Sequence, residues 1–143
     1  MTDDPSVNAA RLLATHLHEG QVDKLGEPYV NHALRVAAKM TTPDQVVVAL
    51  LHDALEDADI SESQLRAQFG EEVATAVVLL TRSADVPSAV YYERIRMNPL
   101  AFAVKLADVH DNLDPSRLLR LDHGTASRLL RKYGEALQAL GSD

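Results

Sequence analysis

Apolar residues recur three and four positions apart through almost the whole chain, the spacing that gathers them on one side of an α-helix. No segment alternates apolar and polar residues as a half-buried strand would, so the reading is all-α. A first helix is expected from about Pro5 to Glu19, with Leu12, Leu13, Thr15, Leu17 and nearby alanines on its core side and Gly20 as its stop. The stretch from Gly20 to Pro28 is rich in turn residues, and Pro28 suits the first position of a second helix. There Tyr29, Ala33, Val36, Ala37 and Met40 make one apolar stripe, and His32 lies within it, facing inward.

Pro43 opens a third helix whose run from Val46 to Leu51 has no polar side, which marks it as buried nearly all round. It ends in charge: His52, Asp53, Glu56, Asp57 and Asp59. Ser61 with Gln64 is a capping-box pattern for a short helix ending near Gly70, and another helix is read from Glu71 to Arg82, followed by a loop over Asp85 to Ser88. Helices over about Ala89 to Met97 and Leu100 to Leu113 come next. The second has Phe102, Leu106, Val109 and Leu113 on one side and Lys105, Asp108 and Asn112 on the other. Asp114-Pro115 and His123-Gly124 punctuate the end, with Thr125 as the cap of a last helix reaching about Leu140. Neither a repeat nor a linker interrupts residues 1–143, so a single domain is expected.

Composition narrows the chemistry. With 46% hydrophobic and 24% charged residues the chain is an ordinary folding sequence. It has no cysteine, which removes disulfides, thiolate nucleophiles and thiolate metal ligands; any metal must use His, Asp or Glu. The longest apolar run is far short of a membrane span, and the polar stretch from Met1 to Asn8 has no signal-peptide core, so no membrane association and a cytoplasmic location are expected. A net charge of -7 speaks against nucleic acid as a partner, though not against a small phosphorylated ligand received by one cation and a few lysines.

His52 and Asp53 end the most buried helix, a costly place for ionisable groups without partners. His32 and Asp108 are the inward groups able to join them, and two imidazoles with two carboxylates suit a first-row divalent metal better than calcium. Glu56 and Asp57, one helical turn beyond His52 and Asp53, are then placed to handle the proton of an attacking water. Each group alone has an ordinary reading. An inward histidine is commonly a hydrogen-bonded core residue, the acidic end could be solvated, and Lys105 with Asp108 could be a plain ion pair one turn apart. Arg82, Arg94 and Lys105 are further cations able to meet phosphates, whereas His16, His18, His110 and His123 have no evident role.

Four pieces taken together resemble a known family: Gly26-Glu27-Pro28-Tyr29-Val30-Asn31-His32, Leu51-His52-Asp53-Ala54-Leu55-Glu56-Asp57, Phe69-Gly70 with Leu80-Thr81-Arg82, and Val104-Lys105-Leu106-Ala107-Asp108-Val109-His110-Asp111-Asn112. In this order, across about Ala14 to Asn112, they are similar to the HD-domain metal-dependent phosphohydrolases and, within them, to the RelA/SpoT-type hydrolase domain. The resemblance implies an HD-type helical bundle acting on guanosine 3′,5′-bis(diphosphate) as a stand-alone 3′-pyrophosphohydrolase, through a metal-activated water. It implies His32, His52, Asp53 and Asp108 as metal ligands, Glu56 and Asp57 as the catalytic acidic pair, and Asn112 as a nucleotide contact, with Lys24 in the loop that meets substrate. Lys105, from its own position beside Asp108 on the helix, is the best placed of the further cations to meet a phosphate. Manganese is the expected metal, ahead of iron, zinc, cobalt, nickel and magnesium. The family's larger members carry Arg-Lys where this chain has Asp23-Lys24, so weaker discrimination of the base is expected. The alternatives are a nucleotidase of the same superfamily and a nucleotide- or metal-binding regulatory module.

Overall fold

The computed structural model describes residues 4–57 and 59–141, with the backbone alone of Asp57. The described chain is helical, as the spacing predicts, and its extended pairing is an isolated bridge between Val22 and Pro28. Helices α1 (Pro5–Leu17), α2 (Val30–Ala38) and α3 (Pro43–Leu51) lead into a short 3-10 helix, Ala54–Asp57. Then follow α4 (Glu62–Phe69), α5 (Glu71–Leu80), α6 (Ser88–Arg96), α7 (Pro99–Asn112), α8 (Pro115–Leu118) and α9 (His123–Ala139).

Local chemistry sets these boundaries. Pro5, Pro43, Pro99 and Pro115 each begin a helix, and the side chain before each (Asp4, Thr42, Asn98, Asp114) accepts a hydrogen bond from a first-turn N–H. The Ser61–Gln64 capping box is fully formed. Three expectations at helix starts change. Pro28 sits in the bridge with Val22, so α2 begins two residues later. Asp114-Pro115 starts α8, where a stop had been read. Asp122 caps α9, accepting from both the N–H and the hydroxyl of Thr125, the residue expected to do the capping.

Helix α3 is the centre of the bundle, packed on α1, α2, α5 and α7. That position explains its lack of a polar side, and Val47 to Leu51 are all buried. Helix α1 turns Val7, Ala10, Ala14 and Leu17 inward, while Leu12 and Thr15, expected on the core side, face outward. In α7 the fully buried residues are Ala101, Val104 and Val109, while Phe102 and Leu106 are only partly covered. The side carrying Asp108 is therefore as deep as the apolar side. Truncating Leu50, which is 1% exposed, to alanine should cost about 2–5 kcal/mol in a urea titration. The same change at Leu12, 73% exposed, should cost less than about 0.5 kcal/mol, and equal losses would return Leu12 to the core.

Candidate functional site

Helix α3 stops at Leu51, with His52 as its C-cap, and the chain then tightens into the 3-10 turn. The stop lets His52 and Asp53 address one point although they are adjacent in sequence. It also corrects the expected spacing. In 3-10 geometry residues three apart eclipse one another, and the Glu56 N–H donates to the Asp53 carbonyl, so Glu56 lies beside Asp53 rather than above His52. The Asp57 side chain, expected as the second acidic group, lies outside the described residues.

Four side chains from three elements converge here. His32 from α2, His52 and Asp53 from the end of α3, and Asp108 from α7 meet inside the bundle. One ligand atom from each of His32, His52 and Asp53 lies within 4.8 Å of the others. Asp108 closes the group, its Oδ1 lying 2.8 Å from His32 Nε2 and 3.4 Å from His52 Nε2. Both imidazoles are held by their other nitrogen. The Nδ1–H of His32 donates to Asp111 Oδ2 at 2.6 Å, and the Nδ1–H of His52 donates to the Ala49 carbonyl at 2.7 Å. A carbonyl and an ionised carboxylate can only accept, so Nδ1 carries a hydrogen in each ring and Nε2 is turned toward the cluster, where that of His32 also donates, to Asp108 Oδ1, when the ring is protonated.

Those Nε2 atoms test whether a cation fits. His52 Nε2 is buried and has no hydrogen bond among the described residues, although Asp53 Oδ2 and Asp108 Oδ1 are 3.2 and 3.4 Å away. A buried Nε2 facing two carboxylates, with a second imidazole alongside at a ring distance of 5.4 Å, is the donor set a divalent cation takes once the nitrogen gives up its proton. The arrangement is a possible His/Asp metal site. Protons compete for the same atoms. Burial disfavours charge on both rings, but the carboxylates outweigh it: Asp108 and Asp111 raise His32 above the usual histidine range, and Asp53 and Asp108 push His52 up to about 10.

Several partners were not legible as functional. Arg35 forks onto Asp111 through Nε (2.8 Å) and Nη2 (3.0 Å), and against the cost of burial His32 and Arg35 hold that carboxyl well below the ordinary range. The only signal for them is spacing: Asp111 is three residues from Asp108 and Arg35 three from His32, each on the same helix face. Tyr29, read as apolar stripe, donates its hydroxyl to Asp53 Oδ2 and packs its ring against His18 and His32. His18 is buried, with Nδ1 2.8 Å from Gln21 Oε1, whereas His16, His110 and His123 are exposed.

The cluster lines a cavity of about 980 Å³ that also takes in Lys24, Glu56, Lys105 and Asn112. Lys105 Nζ is 3.2 Å from Asp108 Oδ2, the ion pair its spacing allowed, and it lines the cavity as well. Burial and the Asp53 carboxylate push Glu56 up to about 7. The amide nitrogen of Asn112 donates to the Asp108 carbonyl at 2.9 Å and approaches Oδ1 at 3.3 Å, leaving its oxygen as the free group.

Residues 10–112 match the HD domain family. The chain is 32% identical over 119 residues to a guanosine-3′,5′-bis(diphosphate) 3′-pyrophosphohydrolase of Aquifex aeolicus, covering 75% of this chain and 17% of that protein. It is 40% identical over 70 residues to the protein of the same name from Haemophilus influenzae, covering 46% of this chain and 10% of that protein. The chain thus spans less than a fifth of these relatives. Among solved structures, a metazoan ortholog of SpoT described as hydrolysing ppGpp superposes with a TM-score of 0.78 at 24% identity, over 96% of this chain and 86% of that one, which shows the fold.

Two outcomes follow from the geometry. Raised imidazoles carry protons at neutral pH and must lose them to bind a metal, so manganese binding should release protons and weaken as pH falls. Calorimetry in buffers of different ionisation enthalpy reads this directly, and an unchanged heat would contradict it. Asp111→Ala should weaken manganese binding by about 10–100-fold in a chelator competition, because His32 loses the acceptor that fixes its ring.

Proposed function

This chain belongs to the HD-domain family, and we propose that residues 1–143 form one domain that acts as a metal-dependent phosphohydrolase on guanosine 3′,5′-bis(diphosphate) or a close relative. The observation that carries the reading is the pair of buried imidazoles, each fixed at Nδ1 and turned at Nε2 toward Asp53 and Asp108 in the lining of a cavity. His32, His52, Asp53 and Asp108 hold one cation. The mixed nitrogen and oxygen set favours manganese, with iron, zinc, cobalt, nickel and magnesium as alternatives. When bound, such a cation lowers the pKa of water and offsets the charge of phosphate oxygens.

The remaining roles belong to the chain. Glu56, beside Asp53 and raised to about 7, accepts the proton of the attacking water near neutral pH. By resemblance Asp57 works with it. Attack on the phosphorus attached to the ribose 3′-oxygen breaks that P–O bond, giving a nucleoside 5′-diphosphate and pyrophosphate. Lys105 is already beside Asp108, and Lys24, in the loop between α1 and α2, lines the same cavity, so both can meet the pyrophosphate oxygens. Asn112 offers its side-chain oxygen to a ribose hydroxyl. Base discrimination is weak in this reading. Asp23 replaces a cation in the loop, and its oxygens already accept from Leu25 N, Glu27 N and Arg117. No described helix is long and apolar enough to cross a membrane, and the net charge of -7 disfavours nucleic acid, so we place the enzyme in the cytoplasm with a phosphorylated nucleotide as its partner.

Two variants separate binding from chemistry. His52→Ala should lose manganese and turnover together, while Glu56→Gln should keep manganese and lose about 10²–10⁴-fold in kcat. Chromatography of the products identifies the reaction. Release of pyrophosphate with a guanosine diphosphate supports the reading; orthophosphate, or turnover of nucleoside monophosphates alone, favours a nucleotidase, and manganese binding without any turnover favours a regulatory module.

A further inference from the structure

Three of the four side chains that meet at the cluster are each fixed by a further contact: His32 by Asp111, His52 by the Ala49 carbonyl, and Asp108 by Lys105 and Asn112. Asp53 is placed differently. Its side chain is 20% exposed, against 5–11% for the other three. It lines the main cavity and also a smaller pocket of about 220 Å³, whose other walls are Gln21, Tyr29 and Glu56. The last torsion of an aspartate is soft, so packing alone leaves this carboxylate free to turn from the imidazoles toward the smaller pocket. Its neighbour Glu56 is another carboxyl group, which repels it when ionised and donates to it only when protonated.

What holds Asp53 is Tyr29. The tyrosine hydroxyl donates to Asp53 Oδ2, the oxygen that stands 3.2 Å from His52 Nε2. Tyr29 has little freedom of its own. Its ring packs against those of His18 and His32, at centroid distances of 5.1 and 5.7 Å, and its N–H donates to the Gln21 carbonyl at 2.9 Å. The residue before it, Pro28, is in the bridge with Val22. The hydroxyl therefore reaches Asp53 from a fixed point.

We propose that Tyr29 is a positioning residue of this site: its hydroxyl holds the Asp53 carboxylate toward His52 Nε2 and keeps it out of the smaller pocket. It acts through Asp53 and not on the substrate. With Tyr29 in place all four side chains have a fixed orientation, and a cation meets a set that need not reorganise to bind it. The inference rests on His32, His52, Asp53 and Asp108 being the metal ligands.

The test measures manganese affinity by chelator competition in wild type and in Tyr29→Phe, which keeps the ring against His18 and His32 and removes only the hydroxyl. The variant should bind about 10–100-fold more weakly, the usual loss when the outer partner of a metal ligand is removed. Turnover should fall at limiting manganese and be recovered by excess manganese, with the KM for the nucleotide unchanged. A hydroxyl that serves only the fold would lower the unfolding temperature of the metal-free protein and leave the affinity alone. Equal affinity in the two proteins therefore overturns the proposal, whatever happens to stability or turnover. Lost turnover that excess manganese does not recover gives the hydroxyl a role beyond Asp53 and overturns it as well. A second measurement needs no variant: in a crystal structure of manganese-loaded wild type the Tyr29 hydroxyl should lie within hydrogen-bond distance of Asp53, and a hydroxyl turned away overturns the proposal. Wild type that binds no manganese overturns the metal site itself and the proposal with it, an outcome distinct from equal binding.

Discussion

The interaction on which the structure depends is the mutual compensation of buried charge between α2, the end of α3 and α7. His32, His52, Asp108 and Asp111 are all more than nine-tenths buried. Each alone would carry a desolvation penalty of several kcal/mol, repaid only by a well-placed partner. Here every one has such a partner: Asp111 has Arg35 and His32, Asp108 has Lys105 and both imidazoles, and His52 is anchored by the Ala49 carbonyl. The helices are therefore fixed in register by polar geometry as well as by packing, since sliding α7 against α2 would break the contacts of Asp108 and Asp111 together. A buried set of this kind is weak as a source of stability. Its effect is to hold two Nε2 atoms and two carboxylates at one point.

What could be read in the sequence follows from which of these features are local. The burial of α3 was legible because a helix packed on four others has no side left for polar residues. The end of that run at His52 was legible for the same reason, and with it the need for compensating groups. The proline starts were only half legible. Pro43 followed an apparent boundary and read as a beginning, but Asp114-Pro115 followed a long helix and read as an end, because a four-residue helix such as α8 has no periodicity to detect. Leu12 read as core from its residue type, whereas the side of α1 that meets α3 is set by Val7, Ala10, Ala14 and Leu17, and small residues suit close helix contact. Asp111, Arg35 and Tyr29 were not legible as site residues. Their roles depend on contacts spanning 76 or more residues in one case and 24 in the other.

The same distinction applies to the cavity walls. The loop from Gly20 to Pro28 is drawn closed by the Val22–Pro28 bridge and by Asp23, whose Oδ1 accepts from the N–H groups of Leu25 and Glu27. The other oxygen of Asp23 reaches Arg117 Nη2 at 2.9 Å, and Glu27 meets Arg117 at 3.2 Å and Arg120 at 3.4 Å. In sequence Asp23 looks like a cation lost from a substrate loop. In the structure it is the residue that shapes the loop and ties it to α8, so that a segment near the N-terminus and one some ninety residues later form one wall.

That tie has a consequence for how an acidic protein can receive a multiply charged anion. A cation engaged by a carboxylate contributes little field to a ligand, and Arg117 and Arg120 are engaged at the loop wall. The field inside the cavity is therefore set by the lining cations that have no carboxylate partner among the described residues: Lys24 in the loop, Arg82 beside Tyr91 of α6, and Lys132 on α9. The two cationic groups differ in function because of their partners rather than their residue types. Arginines facing Asp23 and Glu27 act as structural fasteners, whereas an arginine facing Tyr91 and Ser88 keeps its charge available to a ligand. Charge counted along the sequence gives -7 and points away from anions; charge counted by partner gives a cavity with an anion-attracting lining, and the second count is the one a substrate meets.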